Sequence, residues 1–251
     1  MTATRAVDER WMRRALALAR RGEGCTRPNP PVGAVVVVRN RLVGQGYHQI
    51  AGGPHAEVHA LRKAGRHSAG ATLYVTLEPC STQGRTPPCT DAIIAAGVRR
   101  VVVAVRDPNP RHAGRGLIVL RRKGIEIHEG VVADQATELL RPFAKWIQHK
   151  TPYVTLKLAM TLDGRIADAQ GRSQWITGPA MRGAVHALRR RVDAILVGRE
   201  TAAIDDPNLL PRPARGRQPF RVVVDSRGRL PPNLRMLHDG FRVVLPEADP
   251  R

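Results

Sequence analysis

Apolar residues recur along the chain with two different spacings, and the change between them predicts the secondary structure. Helical spacing predicts helices over residues 8–21, 55–66, 89–96 and 134–148, with one more helix and a short strand up to Ile127. Apolar runs predict strands over 71–77 and 100–105, and two apolar segments joined by Arg39 and Asn40 predict a hairpin. Strands that alternate with helices, with no linker between them, favour one three-layer α/β sandwich over two small domains in residues 1–148.

The pattern restarts after residue 148, so residues 149–251 are predicted to form a second domain. Strands are expected over 153–160, 193–197 and 220–225, and another begins near residue 241. A helix is expected over 178–191, and turns are expected at T-L-D-G-R and Q-G-R-S. Residues 205–213 (D-D-P-N-L-L-P-R-P) form a long proline-bearing loop, which is often a functional element.

Composition and charge narrow the class of protein. The 251-residue chain has 42% hydrophobic and 25% charged residues, which is typical of a folded globular protein. Its formal net charge of +20 comes mainly from scattered arginines, whereas nucleic-acid binders usually gather their charge on one face. Aromatic residues make up 4% of the chain, which leaves few platforms for stacking bases. We therefore expect no nucleic-acid partner, and a phosphate-bearing small substrate would suit the positive field.

The N-terminal segment has no apolar signal core, and no apolar run approaches the ~20 residues of a membrane span. The three cysteines, Cys25, Cys80 and Cys89, do not make a disulfide framework. These features predict a cytoplasmic protein with reduced thiols and no membrane partner. An unfinished sheet edge in the second domain would favour association into a homo-oligomer.

Residues 54–89 concentrate the residue types of a metal-dependent active site. P-H-A-E-V-H-A-L supplies His55 and Glu57 at the start of a predicted helix. T-L-E-P-C-S-T-Q-G-R-T-P-P-C supplies Cys80 at a strand end and Cys89 at a helix start, where helix amides favour a thiolate. Two thiolates and one imidazole predict a Zn²⁺ site with an open position for water. Glu57 would take a proton from that water and pass it to departing ammonia, so the pattern predicts hydrolytic deamination.

Other interpretations of these residues stay open. Free cysteines in a protein core are commonly inert packing residues. His55 and His59 share a helix face, but the zincin pattern needs adjacent His and Glu, so we interpret His59 as a supporting or core histidine. A purely structural zinc would need a fourth ligand, for which Cys25 is the spare thiol; otherwise Cys25, His48 and the remaining histidines are expected to be bystanders. The main functional rival is a tRNA or other nucleic-acid deaminase that acts on a flipped base.

Further motifs occur in order through the first half: N-P-P-V-G-A-V, G-G-P-H-A-E-V-H-A-L, the P-C…C segment followed by T-D-A-I-I-A-A-G, and D-P-N-P-R-H-A-G-R-G. Together they resemble the bifunctional riboflavin-biosynthesis deaminase/reductase family. The eight residues between Cys80 and Cys89 differ from the short gap of tRNA adenosine and cytidine deaminases. The resemblance implies deamination of 2,5-diamino-6-ribosylamino-4(3H)-pyrimidinone 5′-phosphate, with Asn29 and Arg85 near substrate. The family usually has histidine where Thr82 stands, a departure that would alter binding if that histidine touches the substrate.

The second half continues the resemblance with L-K-L-A-M-T-L-D-G-R-I-A, G-R-S-Q-W-I-T-G, the segment from A-L-R-R-R-V-D to D-D-P-N-L, and V-V-V-D-S-R. These motifs are similar to the family's reductase domain, which has a dihydrofolate-reductase-like α/β fold and reduces the ribosylamino product to a ribitylamino one with NADPH. The resemblance implies cofactor positions and substrate positions. The cofactor positions are Ala159, Trp175, Thr201, Asp205 and Ser226; the substrate positions are Ser173, Arg189, Leu209 and Arg212, with Lys157 as a candidate contact.

One family feature has no counterpart in this sequence. The family's later glycine-rich segment, which would hold the NADPH phosphates at a turn before a helix, does not occur before Arg251. The second domain is therefore expected to be the N-terminal part of a reductase. We expect deamination without reduction from the 251-residue chain, unless it is a fragment of a longer product.

Overall fold

The computed structural model describes residues 3–214 and 216–245, except for the side chain of Ala3. The chain divides into two compact units, Met1–Val154 and Thr155–Arg251. Among the described residues, no helix combines the length and the apolar character that crossing a membrane requires.

The first unit contains all the helices and strands that the sequence predicts for it. Two short 3-10 turns, Arg20–Gly22 and Gly65–Ser68, extend the first and second helices. The first helix begins at Ala3, earlier than the predicted start at residue 8. The helices are α1 Ala3–Ala19, α2 Ala56–Ala64, α3 Cys89–Ala95, α4 Arg115–Arg122 and α5 Ala133–His149; the strands are β1 Gly33–Val38, β2 Arg41–Tyr47, β3 Thr72–Leu77, β4 Arg100–Val105 and β5 Glu126–Glu129.

The five strands form one mixed sheet in the order β2-β1-β3-β4-β5. β1 pairs antiparallel with both β2 and β3, whereas β3, β4 and β5 run parallel to one another. The β1–β2 hairpin turns at Arg39 and Asn40, whose φ angles of 45° and 61° are those of the turn type that suits hairpin twist. The predicted hairpin is therefore confirmed.

Helices cover both faces of this sheet. On one face α1 packs against alternate residues of β1, β3 and β4, among them Val35, Tyr74 and Val102. On the other face α2, α3 and α4 pack against the intervening residues, among them Val36 and Val75. Because both faces are covered, the strands read as continuous apolar runs instead of alternating ones. The predicted three-layer sandwich is confirmed.

Two glycines of β2 let α2 lie unusually close to the sheet. A Cβ at Gly46 would come 2.4 Å from His59 Cβ, and one at Gly44 would come 2.2 Å from the Ala60 carbonyl oxygen. No real side chain fits at those distances, so these positions require glycine. The close approach fixes the height of α2 above the sheet, and α2 carries Glu57 in its first turn.

The second unit contains a smaller, parallel sheet of three strands, in the order β6 (Ala194–Gly198), β7 (Phe220–Val224) and β8 (Val243–Val244). The helix predicted over 178–191 and the strands over 193–197 and 220–225 are present, while the last strand has only two residues. Two short helices, Arg199–Asp205 and Arg235–His238, have no counterpart among the predicted elements. The helices are α6 Pro179–Arg191, α7 Arg199–Asp205 and α8 Arg235–His238.

The strand predicted over 153–160 was wrong. No strand among the described residues pairs with this segment, and its apolar side chains are largely exposed, with Leu156 at 80%. An extended segment without a hydrogen-bonded neighbour is not a strand, whatever its alternation. The two turns that follow are as predicted: the Thr161 amide donates to the Arg165 carbonyl, and the Asp168 amide donates to the Arg172 carbonyl.

A buried arginine organises the second unit. Arg221 in β7 is fully buried and forms a bidentate pair with Asp239, at 2.7 Å for each contact. The same guanidinium also donates to the carbonyls of Met236 and Phe241. The charge is therefore compensated by a carboxylate and by backbone oxygens, which a buried arginine needs.

Candidate metal centre and active site

Three metal-ligating side chains converge at the ends of three elements of the first unit. His55 is the N-cap residue of α2, Cys80 follows β3, and Cys89 is the first residue of α3. His55 Nδ1 lies 3.2 Å from Cys89 Sγ and 3.5 Å from Cys80 Sγ. All three ligand atoms lie within 4.8 Å of one another. The residues that the sequence singled out are thus brought together.

The spacing of these atoms suits a tetrahedral zinc ion. Zn–S bonds of ~2.3 Å and Zn–N bonds of ~2.0–2.1 Å at tetrahedral angles would place nitrogen and sulfur about 3.6 Å apart. The observed separations of 3.2 and 3.5 Å are close to that value. Two sulfurs and one imidazole nitrogen are also a donor set that zinc accepts, and three protein ligands leave one position open. The residues therefore fit the ion.

The two thiols differ in their tendency to ionise. A hydrogen bond from Cys89 lowers the pKa of Cys80 to about 4, and the imidazole of His55 acts in the same direction. The backbone amide of Cys89, at the start of α3, also donates to Cys80 Sγ at 3.3 Å. The hydrogen bond that the Cys89 side chain donates to the Cys80 thiolate, together with burial, raises the pKa of Cys89. A cation placed between the sulfurs would favour the thiolate form of both.

Glu57 lies in the first turn of α2 beside this cluster and is 3% exposed. Burial first, and then the negative charge on Cys80, raises the pKa of Glu57 to about 7. A carboxyl group with such a pKa can both accept and release a proton near neutral pH. The Glu57 carboxyl thus has the properties that a proton-transfer group requires.

Hydrogen bonds link Asn29 through His48 to Pro54, the residue before the ligand His55. His48 Nδ1 lies 3.1 Å from the carbonyl of Pro54, so this nitrogen must carry the ring proton. The other ring nitrogen then accepts from Asn29 Nδ2 at 3.2 Å. Burial lowers the pKa of His48, consistent with the neutral ring that this tautomer needs. The His48 ring also meets the His55 ring edge-on, with centroids 5.2 Å apart.

His48 is therefore a residue whose role the sequence analysis missed, since it was expected to be a bystander. The sequence feature that could have indicated this role is the position of His48 between a predicted strand and the P-H-A-E segment. Cys25 is an exposed free thiol, in agreement with the expectation of a bystander.

Two other predicted positions lie around the cluster. Arg85 is exposed and lies against Gly52, where an added Cβ would come 3.7 Å from Arg85 Cδ. Gly52 belongs to the loop that leads into His55, so Arg85 lies on the outer side of the same site. Thr82 is also exposed, two residues after Cys80.

In the second unit, the predicted substrate arginines come together. Arg189 of α6 is partly buried, and burial first, followed by the nearby charge of Arg212, lowers its pKa. Arg189 Nη1 donates to the carbonyl of Leu210 at 3.1 Å, and the amide of Arg212 donates to His186 at 3.2 Å. The two guanidinium groups thus form a locally positive site of the kind that binds phosphate.

Other predicted positions of the second unit are distributed over several elements. The Ser173 hydroxyl donates to the Asp205 carboxylate at 3.3 Å, which joins one predicted substrate residue to one predicted cofactor residue. Trp175 is 70% exposed, and the guanidinium of Arg182 stacks over its ring. Leu209 packs in the small core of this unit. The remaining positions, Lys157, Ala159 and Thr201, lie on the unpaired segment before the first turn or on α7.

Ser226 lies in a separate cavity of about 250 Å³ at the C-terminal ends of β6 and β7. The cavity is also lined by Arg199, Val224, Asp225 and Arg227. Ligands commonly bind at the carboxyl ends of parallel strands, and the two arginines and the serine hydroxyl can donate to an anionic group, while the Asp225 carboxylate in the same lining opposes one.

Comparisons with known proteins agree with both halves. Residues 5–105 match the family described as "Cytidine and deoxycytidylate deaminase zinc-binding region", and residues 152–249 match "RibD C-terminal domain". The riboflavin biosynthesis protein RibD of Escherichia coli (strain K12) is 51% identical over 90% of this chain and 65% of its own length. RibD of Aquifex aeolicus (strain VF5) is 50% identical over 93% of this chain and 66% of its own length.

A solved structure is similar across both units. It is a diaminohydroxyphosphoribosylaminopyrimidine deaminase/5-amino-6-(5-phosphoribosylamino)uracil reductase from Thermotoga maritima, 44% identical, with a TM-score of 0.90 over 97% of this chain and 70% of that chain. The chain belongs to the RibD family. The resemblance stated from the motifs is thereby confirmed, and so is the fold class of a cytidine-deaminase-like domain followed by a RibD reductase-type domain.

Membership in the RibD family also bears on the predicted cofactors. The region matched by the first unit is described as zinc-binding, and the RibD C-terminal domain uses NADPH, so Zn²⁺ and NADPH are confirmed as the cofactors of the family's two halves. The chain spans about two thirds of the length of the two curated relatives, at 66% and 65%.

Proposed function

We propose that the first unit is a zinc-dependent deaminase of riboflavin biosynthesis. Its substrate would be the small molecule 2,5-diamino-6-ribosylamino-4(3H)-pyrimidinone 5′-phosphate. The observation that carries the proposal is the convergence of His55, Cys80 and Cys89 beside a buried carboxyl group, Glu57. This constellation combines an open metal site with a proton carrier, which hydrolytic deamination requires.

In the proposed reaction, water replaces the exocyclic amino group of the pyrimidine. Zinc, when bound by His55, Cys80 and Cys89, supplies Lewis-acid activation of a water molecule. Glu57 accepts a proton as the new C–O bond forms and donates it to the amino nitrogen as the C–N bond breaks. The second proton of the water ends on the adjacent ring nitrogen as the carbonyl forms, so the products are the ring lactam and ammonia, and no oxidant or reductant is needed. The buried position of Glu57 limits the loss of that proton to bulk solvent.

Asn29 and Arg85 are proposed to bind the substrate. The hydrogen bond to His48 orients the amide of Asn29, which can then present a fixed pattern of donor and acceptor to the pyrimidine ring. Arg85 is exposed on the outer side of the site, where a guanidinium could meet the phosphorylated end of the substrate.

Two rivals are less well supported. A structural zinc would need a fourth protein ligand, but among the described residues the cluster has three. A nucleic-acid deaminase would be favoured by the net charge, but the family relationships point to riboflavin biosynthesis.

The second unit is proposed to be the N-terminal part of the reductase half, whose reaction would be the NADPH-dependent reduction of the ribosylamino group to a ribitylamino group. Ser226, with Arg199 and Arg227 in the same cavity, would bind an anionic part of the cofactor. The other proposed cofactor residues are Ala159, Trp175, Thr201 and Asp205; the proposed substrate residues are Ser173, Arg189, Leu209 and Arg212, with Lys157 as a candidate. Quenching of the exposed Trp175 by added NADPH, compared between wild type and Ser226→Ala, tests this half.

The proposed functional division is residues 1–148 and 149–251. It is supported by the end of α5 at His149 and by the unit boundary after Val154. A cytoplasmic location and association into a homo-oligomer remain part of the proposal. Sedimentation of the purified chain over a concentration series tests the second of these.

The deaminase assignment is tested by ammonia release from the pyrimidine ribotide and, in parallel, from tRNA. Protein stripped with a chelator should be inactive, and one equivalent of Zn²⁺ per chain should restore activity on the ribotide. Release from tRNA and not from the ribotide would favour the nucleic-acid rival. Activity on the ribotide that survives complete removal of metal would contradict the proposal.

A further inference from the structure

We propose that His112 binds the 5′-phosphate of the deaminase substrate, at a position that it shares with Thr82. The inference rests on the proposed deaminase function and adds a binding residue to the same site. It starts from one contact: His112 Nδ1 lies 3.5 Å from the Thr82 hydroxyl, at the outer limit of a hydrogen bond. Thr82 is two residues after Cys80, so the contact brings an imidazole to the margin of the metal cluster.

The loop that carries His112 is anchored to the same strand end as Cys80. The buried carboxylate of Glu78, which follows β3, accepts hydrogen bonds from the amides of Asp107, Gly114 and Gly116 at 2.8 to 3.2 Å. Gly116 also lies so close to Pro79 that an added Cβ would be 2.0 Å from its carbonyl oxygen. The loop over residues 107–114 is thus fixed directly beside the Pro79-Cys80 segment.

Within this loop the backbone around His112 is itself held. The amide of His112 donates to the carbonyl of Asn109 at 2.9 Å, and the carbonyl of His112 accepts from the amide of Arg115 at 2.9 Å. A ring on a backbone held in this way has a restricted range of positions. With Nδ1 directed at Thr82, the opposite ring nitrogen, Nε2, has no hydrogen-bond partner within residues 3–214 and 216–245.

Depth in the site indicates which end of the substrate His112 would meet. Cys89 and Glu57 are buried, Cys80 is half-buried, and Thr82 and Arg85 are exposed. The reacting ring must reach the buried Glu57, so the ribose phosphate would lie toward the exposed side of the site, where Thr82 and Arg85 are found. His112, which contacts Thr82, lies on that side and is partly exposed.

Charge near His112 also suits a phosphate. Arg111 and Arg115 lie one and three residues from it along the chain and are exposed, and Arg85 lies on the loop that carries Thr82. The carboxylate of Asp107, on the same loop as His112, also interacts with His112 and is the opposing charge. An imidazole N–H among guanidinium groups is a common donor set for phosphate oxygens. Thr82 stands where the family usually has histidine. In this chain the Thr82 hydroxyl would instead support the imidazole of His112, which comes from another loop.

The test compares two substrates, the pyrimidine ribotide and the corresponding riboside without phosphate. His112→Val should raise KM for the ribotide about tenfold, the loss expected for one hydrogen bond to a charged group. It should leave kcat within about twofold, because the ring and Glu57 are not displaced. With the riboside, wild type and variant should have the same KM. His112→Gln, which keeps an N–H donor near the position of Nε2, should recover most of the affinity.

Binding without turnover gives a second readout. In a Glu57→Gln background, the dissociation constant of the ribotide should rise by the same factor when His112→Val is added. Zinc content should stay at one ion per chain in every variant. His67→Val, an exposed histidine on the 3-10 turn after α2, is the matched control and should change neither constant.

Three results would overturn the proposal. These are an unchanged ribotide KM in His112→Val, an equal loss of affinity for ribotide and riboside, or loss of zinc from both His112→Val and His112→Gln. Failure of the proposed function itself would look different, because wild-type protein loaded with zinc would then release no ammonia from either substrate.

Discussion

The two units use strands of similar sequence but cover them to different extents. β3 and β4 of the first unit are buried over nearly their whole length, because helices pack on both faces of their sheet. In the second unit, β6 has an exposed residue at every other position, and Leu196 is 64% exposed. β7 is exposed at both of its ends. An apolar run therefore predicts a strand, but the layers that pack against it determine its burial.

The candidate sites differ in the same way. Cys89 and Glu57 of the first unit are buried at the ends of packed elements, so their positions are fixed by the core. Trp175 and Arg212 of the second unit are exposed, and their neighbours are loops. Since a catalytic group needs a supporting layer to hold its geometry, the first unit has the more preorganised site.

The largest expected effect is on metal binding in the first unit. Cys89→Ala removes one of three ligands and should abolish stoichiometric zinc binding together with deamination, because two remaining ligands hold zinc weakly. Metal analysis after dialysis measures this directly. Cys25→Ala, which removes an exposed thiol, is the control and should retain one zinc ion per chain. Equal zinc content in the two variants would show that Cys89 is not a ligand.

Truncation of one leucine in each sheet should destabilise the buried sheet of the first unit much more than the more exposed sheet of the second. Leu73 is fully buried in β3, so Leu73→Ala should lower the free energy of unfolding of the first unit by about 2–5 kcal/mol. Leu196 lies on the exposed side of β6, and Leu196→Ala should change the second unit by less than about 0.5 kcal/mol. Hydrogen exchange followed by mass spectrometry resolves the two units. A similar loss in both would mean that Leu196 is covered in solution.

Glycine-to-alanine substitutions compare how tightly the backbone is packed in the two units. Gly46→Ala would force α2 away from β2 and should destabilise the first unit by about 1–3 kcal/mol. It should also lower deaminase activity, because α2 carries Glu57. Within the part of the chain that the structure describes, no atom lies within 4 Å of a Cβ added at Gly198, at the end of β6, so Gly198→Ala should be nearly neutral. A neutral Gly46→Ala would contradict the close packing of α2.

The smallest expected effect is a change in acid sensitivity. Burial alone would raise the pKa of Asp8, but hydrogen bonds from Arg100 and Tyr74 outweigh burial and hold the pKa below its ordinary value. A lowered folded-state pKa gives stability that is complete above about pH 4 and is lost as pH falls through the folded-state value. Unfolding of the first unit should therefore become easier below about pH 4.

Asp8→Asn is the comparison for this acid effect. It should be less stable than wild type at neutral pH and should lose less stability on acidification. Parallel pH profiles for the two proteins would show that Asp8 contributes no acid sensitivity.

Much of the first unit could be predicted because its signals are local. The valine runs of β1 and β4 need only neighbouring residues to be read as strands. The order of His55, Glu57, Cys80 and Cys89 likewise follows from spacing along the chain. The structure then adds what spacing cannot give, which is that the ligand atoms lie within 4.8 Å of one another.

The features that sequence missed depend on contacts between distant residues. Asp8 and Arg100 pair across 92 positions, and Glu78 binds amides up to 38 positions away. His48 gains its role only when Asn29 and Pro54 meet it from two loops. The strand predicted over 153–160 failed for the same reason, because pairing with a neighbouring strand is not encoded within the segment itself.

The central claim is that Glu57 transfers protons beside a zinc ion held by His55, Cys80 and Cys89. The most direct test is Glu57→Gln, assayed together for zinc content and for ammonia release from the pyrimidine ribotide. The account predicts one zinc ion per chain, as in wild type, and a rate reduced by a factor of about 10²–10⁴, the usual contribution of a general acid–base group. Deamination at the wild-type rate with zinc still bound would contradict it.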